Sequence, residues 1–234
     1  MTPLETVPRD EFIFDRWDYQ AGEHVTFLGP TGSGKTQLKW GLLGVTATPD
    51  VPAVVFASKP KDATTTRWMG KLHYRKTELY PPVSNPFKTK PPGYVVWPRH
   101  TFDPDIDDDK QREVFRDSLR HCYKAGNHIV DVDEMLDMKD LGLEKEERVL
   151  WTRGRSMGAG LWAGTQQPFH IPTHAYRQAQ HLFIAKDPDK RSRQRFDEIG
   201  GFDSGTVAKW VMVLQQYQFI YLRRRDNAVC IVDK

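Results

Sequence analysis

The sequence predicts an α/β fold, with a mainly parallel sheet flanked by helices and closed by a C-terminal β-hairpin. Three observations carry that expectation. Residues 29–36 read Gly-Pro-Thr-Gly-Ser-Gly-Lys-Thr, a complete phosphate-loop pattern of glycine, four residues, glycine, lysine and threonine. The loop stands between His24–Leu28, short and apolar enough for a buried strand, and Gln37–Leu43, which suits a helix. Beyond it, short apolar runs alternate with helical stretches.

At 234 residues the chain fits one α/β domain. A composition of 38% hydrophobic and 28% charged residues excludes a disordered chain. Apolar runs reach only about five residues, as in Trp210–Leu214, so no segment spans a bilayer. Residues 1–15 carry acids and no apolar core, which excludes a secretory signal and predicts a cytoplasmic protein without membrane insertion. Cys122 and Cys230 are expected as reduced thiols. A net charge of +3 gives no overall nucleic-acid signal, so any such contact must come from local patches.

In chain order, residues 1–21 are expected to form an irregular arm, with Phe12, Phe14 and Trp17 packed onto a single domain of residues 22–234. Val51–Ser58 reads as a second strand and Asp62–Leu72 as a helix. Pro81–Gly93, proline-rich and carrying Lys88 and Lys90, reads as a projecting loop, either a solvated connector or a DNA contact. Tyr94–Trp97 is a short strand. The acidic run Asp103–Asp109 poses a metal site against a simpler role, offsetting the positive end of a helix over Gln111–Lys124. His128–Glu134 is a strand ending in two acids, and Leu143–Met157 a charged helix. Leu161–Pro168 and His181–Ala185 are strands around a short helix over His174–Gln180. Arg191–Ile199 is a basic helix stopped by Gly200 and Gly201, and Phe219–Arg223 with Ala228–Val232 form the hairpin.

The chemistry of the loop explains its residue types. Backbone amides of Gly29, Pro30, Thr31, Gly32, Ser33, Gly34, Lys35, Thr36 and Gln37 line the approach to a triphosphate, proline excepted because it lacks the N–H. Lys35 would bridge β- and γ-phosphates, and the Thr36 hydroxyl would take a Mg²⁺ position. Asp133, at the carboxyl end of its strand, is assigned to the metal through water, and Glu134 to the attacking water. Asp131 shares a face with Asp133 and must be paired, either with a basic residue or in support of Lys35 or Thr36. Gln166, in Thr165-Gln166-Gln167, is placed to touch the γ-phosphate or the water. Arg153 and Arg155, beside Gly154 and Gly158, offer either a helix-end charge or a side chain reaching a neighbour's nucleotide.

Together these segments resemble the FtsK/HerA class of P-loop ATPases, in Gly29–Thr36, Asp133-Glu134, Arg155-Ser-Met-Gly158 and Gly164-Thr-Gln-Gln-Pro168. The resemblance implies a P-loop NTPase fold of the ASCE, RecA-like type, with ATP and Mg²⁺ as cofactors. It implies a homo-oligomeric ring, commonly a hexamer, translocating double-stranded DNA, with Arg155 as the finger across the subunit boundary and Arg153 as second choice. Asp131 departs from the apolar residue usual there. The small size resembles genome-packaging ATPases of viruses and mobile elements, which implies a capsid or other assembly partner and, for a virus, the host cytoplasm. The alternatives are a morphogenesis or secretion ATPase acting on protein and a small-molecule kinase. No Asn-Lys-x-Asp segment favours a GTPase.

Overall fold

Apolar runs of four to six residues cannot bury themselves alone, and here they assemble into one sheet. The computed structural model describes residues 4–83, 87, 89–170, 172–196 and 205–234. In chain order the elements are β1 (Thr6–Pro8), α1 (Arg9–Glu11), β2 (Val25–Leu28), α2 (Lys35–Thr46), β3 (Ala53–Phe56), α3 (Ala63–Lys71), β4 (Arg75–Thr77) and β5 (Gly93–Val96). Next come α4 (Pro104–Ala125), β6 (Ile129–Val132), α5 (Met135–Asp140), α6 (Glu144–Arg153), β7 (Gly160–Thr165) and α7 (His174–Arg177). The chain closes with β8 (His181–Ala185), α8 (Lys190–Arg195), α9 (Thr206–Val213), β9 (Phe219–Arg223) and β10 (Ala228–Asp233). The strand order is β4-β5-β3-β6-β7-β2-β8-β9-β10-β1. From β4 to β8 neighbours run parallel, and β9 is antiparallel to both β8 and β10.

Each sheet face has its own core, as the alternation of strand side chains requires. One joins Val25, Phe27, Val55, Ile129 and Trp162 to Leu38, Trp40, Leu42 and Leu43 of α2. The other joins Val54, Val130, Val132, Leu161 and Ile184 to Phe115 and Leu119 of α4 and to Leu150 and Trp151 of α6. At about 25 cal/mol per Å² of apolar surface, these two layers supply the main drive to fold.

The N-terminal segment departs from the irregular arm expected of it. β1 joins the sheet edge beside β10, and Phe12 and Trp17 enter the aromatic layer around Phe183 and Tyr221. Phe14 does not pack; it is 72% exposed. Polar contacts also tie the segment down: the Trp17 indole donates to Thr46 Oγ1 at 2.8 Å, half-buried, and Arg225 pairs with the exposed Asp18 at 2.5 Å. The acidic run lies inside α4 rather than ahead of it. Asp103 caps the helix, Pro104 opens it, and Asp107 accepts from the Thr101 and Phe102 amides. Asp105 and Asp107 stand in the first turn of α4, where carboxylates offset the positive helix end; among the described residues no cluster of three His, Cys, Asp or Glu could hold a metal.

The expected single helix over residues 143–157 is shorter. α6 ends at Arg153 and a 3-10 turn, Gly154–Met157, completes it. β4, α5 and α9 were not anticipated. β4 is a charged three-residue edge strand, α5 is one short turn, and α9 is apolar on nearly every side, so none carries a clear period. Lys88, Ile199 and the stop signal Gly200-Gly201 lie outside the described residues. No helix among the described residues is long and apolar enough to cross a membrane.

Candidate functional site

β2 hands the chain directly to the phosphate loop, whose conformation depends on its glycines. Gly32 and Gly34 have φ of +76° and +94°, the left-handed region that side chains resist. Gly34 caps α2, so residues 34–37 present the helix's free amides to the loop. The Lys35 ammonium donates to the carbonyls of Gly29 at 2.5 Å and Pro30 at 3.1 Å, and burial lowers its pKa. Those carbonyls are weaker partners than phosphate oxygens, so Lys35 is poised to exchange them. Thr31 Oγ1 bonds Gln166 Oε1 across the loop. The side chain of Gln37 is engaged by the Trp68 indole at 3.2 Å, which leaves its backbone as its means of reaching a phosphate.

The strand order explains how the remaining groups arrive. β7 lies between β2 and β6, so the exits of all three strands meet at one edge. Gly164 permits that approach, since a Cβ there would stand 2.3 Å from the Asp133 carbonyl. Thr36 Oγ1 lies 3.5 Å from Asp133 Oδ1, a hydroxyl and a carboxylate that together form a hard-oxygen donor pair suited to Mg²⁺. Glu134 accepts the Gln166 amide at 2.9 Å and the Leu136 amide at 3.4 Å, which fixes its carboxylate between β7 and α5. Burial raises its pKa above the usual carboxylate range, as a proton acceptor requires. A cavity of about 530 Å³ opens before the loop, bounded also by Lys59, Lys61, Asp133, Gln166 and Tyr217.

The partner left open for Asp131 is Lys39. Its ammonium lies 3.1 Å from Asp131 and 2.8 Å from Asp133, with Lys39 2% and Asp131 0% exposed. Lys39 follows Lys35 by four residues, so both project from one face of α2. Against the cost of burial, the flanking carboxylates hold Lys39 protonated, above the ordinary lysine range, and the Lys39 ammonium in turn holds Asp133 below the ordinary carboxylate range. Burial pushes Asp131 up to about 6, with Lys39 opposing. Lys39 was missed in the sequence, although a lone lysine in the apolar run Leu38–Trp40 and a lone acid in Ile129–Val132 were the matching signals. Lys59, Lys61 and Tyr217 also escaped notice, because only the fold brings them to the loop.

Arg153 and Arg155 are not brought to this cavity. They precede β7, at the opposite edge of the sheet, with about 20 Å of strand between. Both are exposed, and neither guanidinium has an ion pair or side-chain hydrogen bond among the described residues. Of the basic residues that could grip DNA phosphates, in the loop of Lys90 and the basic helix of Arg191, Arg193 and Arg195, Lys90 and Arg191 are exposed. Arg193 is bound to the carbonyls of Asp187 and Pro188, and Arg195 lies over Tyr176.

Known structures share this fold. The genome packaging NTPase B204 from Sulfolobus turreted icosahedral virus 2, in complex with ATP-gammaS, aligns over 92% of this chain and 98% of its own, at 18% identity and a TM-score of 0.64. This is a P-loop NTPase fold. The P-loop fold recurs in the cytoplasmic domain of the Thermomonospora curvata type VII secretion ATPase EccC, over 92% of this chain and 25% of that one (15% identity, TM-score 0.55). It recurs too in the pCW3 conjugation coupling protein TcpA with ATPgS, over 91% and 60% (14% identity, TM-score 0.51). No protein-family model and no curated sequence matches the chain.

Proposed function

We propose that the protein is an ATP-hydrolysing, DNA-translocating motor of the genome-packaging type, working in the cytoplasm as a homo-oligomeric ring. In this reading residues 22–234 act as one ATPase domain and residues 1–21 as its N-terminal arm, of which β1 and the residues around Phe12 and Trp17 lie along the sheet. Residues 29–37 hold the triphosphate, and Lys35 leaves its loop carbonyls for phosphate oxygens. Mg²⁺, held by Thr36 and through water by Asp133, would neutralise charge on the β- and γ-phosphates. Glu134 takes a proton from the attacking water as its oxygen bonds the γ-phosphorus and the bond to the bridging oxygen breaks. Gln166, anchored between Thr31 and Glu134, senses that step.

The observation that carries the reading is the position of Arg155, with Arg153 as second choice. An exposed arginine with no ion pair among the described residues, at the strand ends opposite its own phosphate loop, is too far to serve its own nucleotide and is free to reach a neighbour's. That B204 packages a genome and TcpA couples conjugation supports DNA as the cargo, and a capsid as the partner. The test is ATP hydrolysis with and without duplex DNA. Stimulation at low salt that fades steeply as salt rises is expected. Indifference to DNA would sink the proposal, and the fold shared with EccC makes a protein-moving ATPase the second reading, recognised by stimulation from a protein partner instead.

A further inference from the structure

The cavity before the phosphate loop has an aromatic wall that phosphate chemistry does not use. Tyr217 stands in the turn between α9 and β9 and lines the cavity. Its φ is +69°, a conformation rare for a bulky residue and retained where its surroundings enforce it. Those surroundings are visible. Arg9 Nη2 donates to the Tyr217 carbonyl at 3.0 Å, and Lys234 Nζ lies 5.4 Å from the ring centroid. The ring rests on the loop itself, since a Cβ on Gly34 would stand 3.3 Å from Tyr217 Cδ1. It remains 36% exposed.

The strand order says which part of a nucleotide would meet it. Asp133, Glu134 and Gln166 leave β6 and β7, on one side of β2, while β8 and β9 lie on the other. The terminal phosphate must face the carboxylates, so the rest of the nucleotide leaves toward β8 and β9. Ala185 pairs with Phe219, so β9 begins at the edge where β8 ends, level with the phosphate loop. Tyr217, two residues before Phe219, stands on that path. A partly exposed ring lining the cavity there, with the terminal Lys234 side chain over it, can offer a flat surface to a nucleobase.

We propose that Tyr217 is the platform on which the base of the bound nucleoside triphosphate stacks. This rests on residues 29–36 holding the triphosphate. The test compares binding of ATP and of inorganic tripolyphosphate by calorimetry, in the parent protein, Tyr217→Ala and Tyr217→Phe. Loss of stacking in Tyr217→Ala should weaken ATP about tenfold. Tyr217→Phe should stay close to the parent, and tripolyphosphate should bind all three alike. Unchanged ATP affinity in Tyr217→Ala overturns the platform. So does an equal loss for tripolyphosphate, which would mean that the ring only shapes the loop through Gly34. A parent protein that binds neither ligand takes the phosphate-loop reading down as well, whereas one that binds tripolyphosphate normally leaves that reading intact whatever Tyr217 does.

Discussion

Glu134 is held by two backbone amides, one from each flank of the site, while burial keeps its proton affinity high. Those properties separate binding from turnover. Glu134→Gln keeps a carbonyl oxygen for one amide but has no basic oxygen for the water. ATP affinity should therefore remain within a few-fold of the parent while hydrolysis falls by about 10² or more. Because the carboxylate must be ionised to act, the parent's rate should fall as pH drops through its raised pKa, and that acid limb should vanish in the variant. Single-turnover hydrolysis across pH, beside equilibrium binding, reads both effects; retention of turnover would remove Glu134 from its role. The acidic pair was legible in the sequence because a strand's end is a fixed place, but its amide partners were not: Gln166 meets Glu134 only after β7 inserts beside β6, and Leu136 only because Glu134 caps α5, a helix too short to carry a period.

Between elements, the link of α2 to β6 has an unusual composition. The core between them is apolar except for Lys39 reaching Asp131 and Asp133. Removing one member of a buried ion pair strands the other, at a cost of about 3–5 kcal/mol, whereas replacing both by apolar groups is close to neutral. Lys39→Met should thus unfold at much lower denaturant, and Lys39→Met with Asp131→Leu should recover most of the loss. Chemical denaturation of parent, single and double variants measures this. Additive losses would mean that the two side chains do not act as a pair. The sequence showed α2 and β6 by their periods and flanks, and it posed the buried acid as a problem. It could not name the partner, because 92 residues separate Lys39 from Asp131 and several lysines were eligible. β1 and β4 escaped for a related reason: three residues carry no period, and only a waiting sheet edge makes them strands.

In the whole molecule the two halves of the chemistry stand at opposite edges of one sheet. The phosphate loop, Asp133 and Glu134 crowd the exits of β2 and β6, and Arg153 and Arg155 precede the entry of β7. On the proposed reading Arg155 would act only in trans, and that geometry has a consequence for mixtures. Arg155→Ala protomers would keep an intact water-activating site but offer nothing to their neighbour. Glu134→Gln protomers would offer Arg155 but hydrolyse nothing themselves. Each variant alone should be nearly inactive, since a trans arginine contributes about 10³–10⁵ in rate. In rings assembled from equal amounts of both, about a quarter of the junctions would join an intact Glu134 to an intact Arg155. Co-expression with two different tags, followed by tandem purification of mixed assemblies, should therefore restore hydrolysis to roughly that fraction of the parent rate. Mixed assemblies that stay inactive would mean that Arg155 does not act across a boundary. Should the same experiment with Arg153→Ala recover activity instead, the finger is the neighbouring arginine and the architecture of the motor stands unchanged.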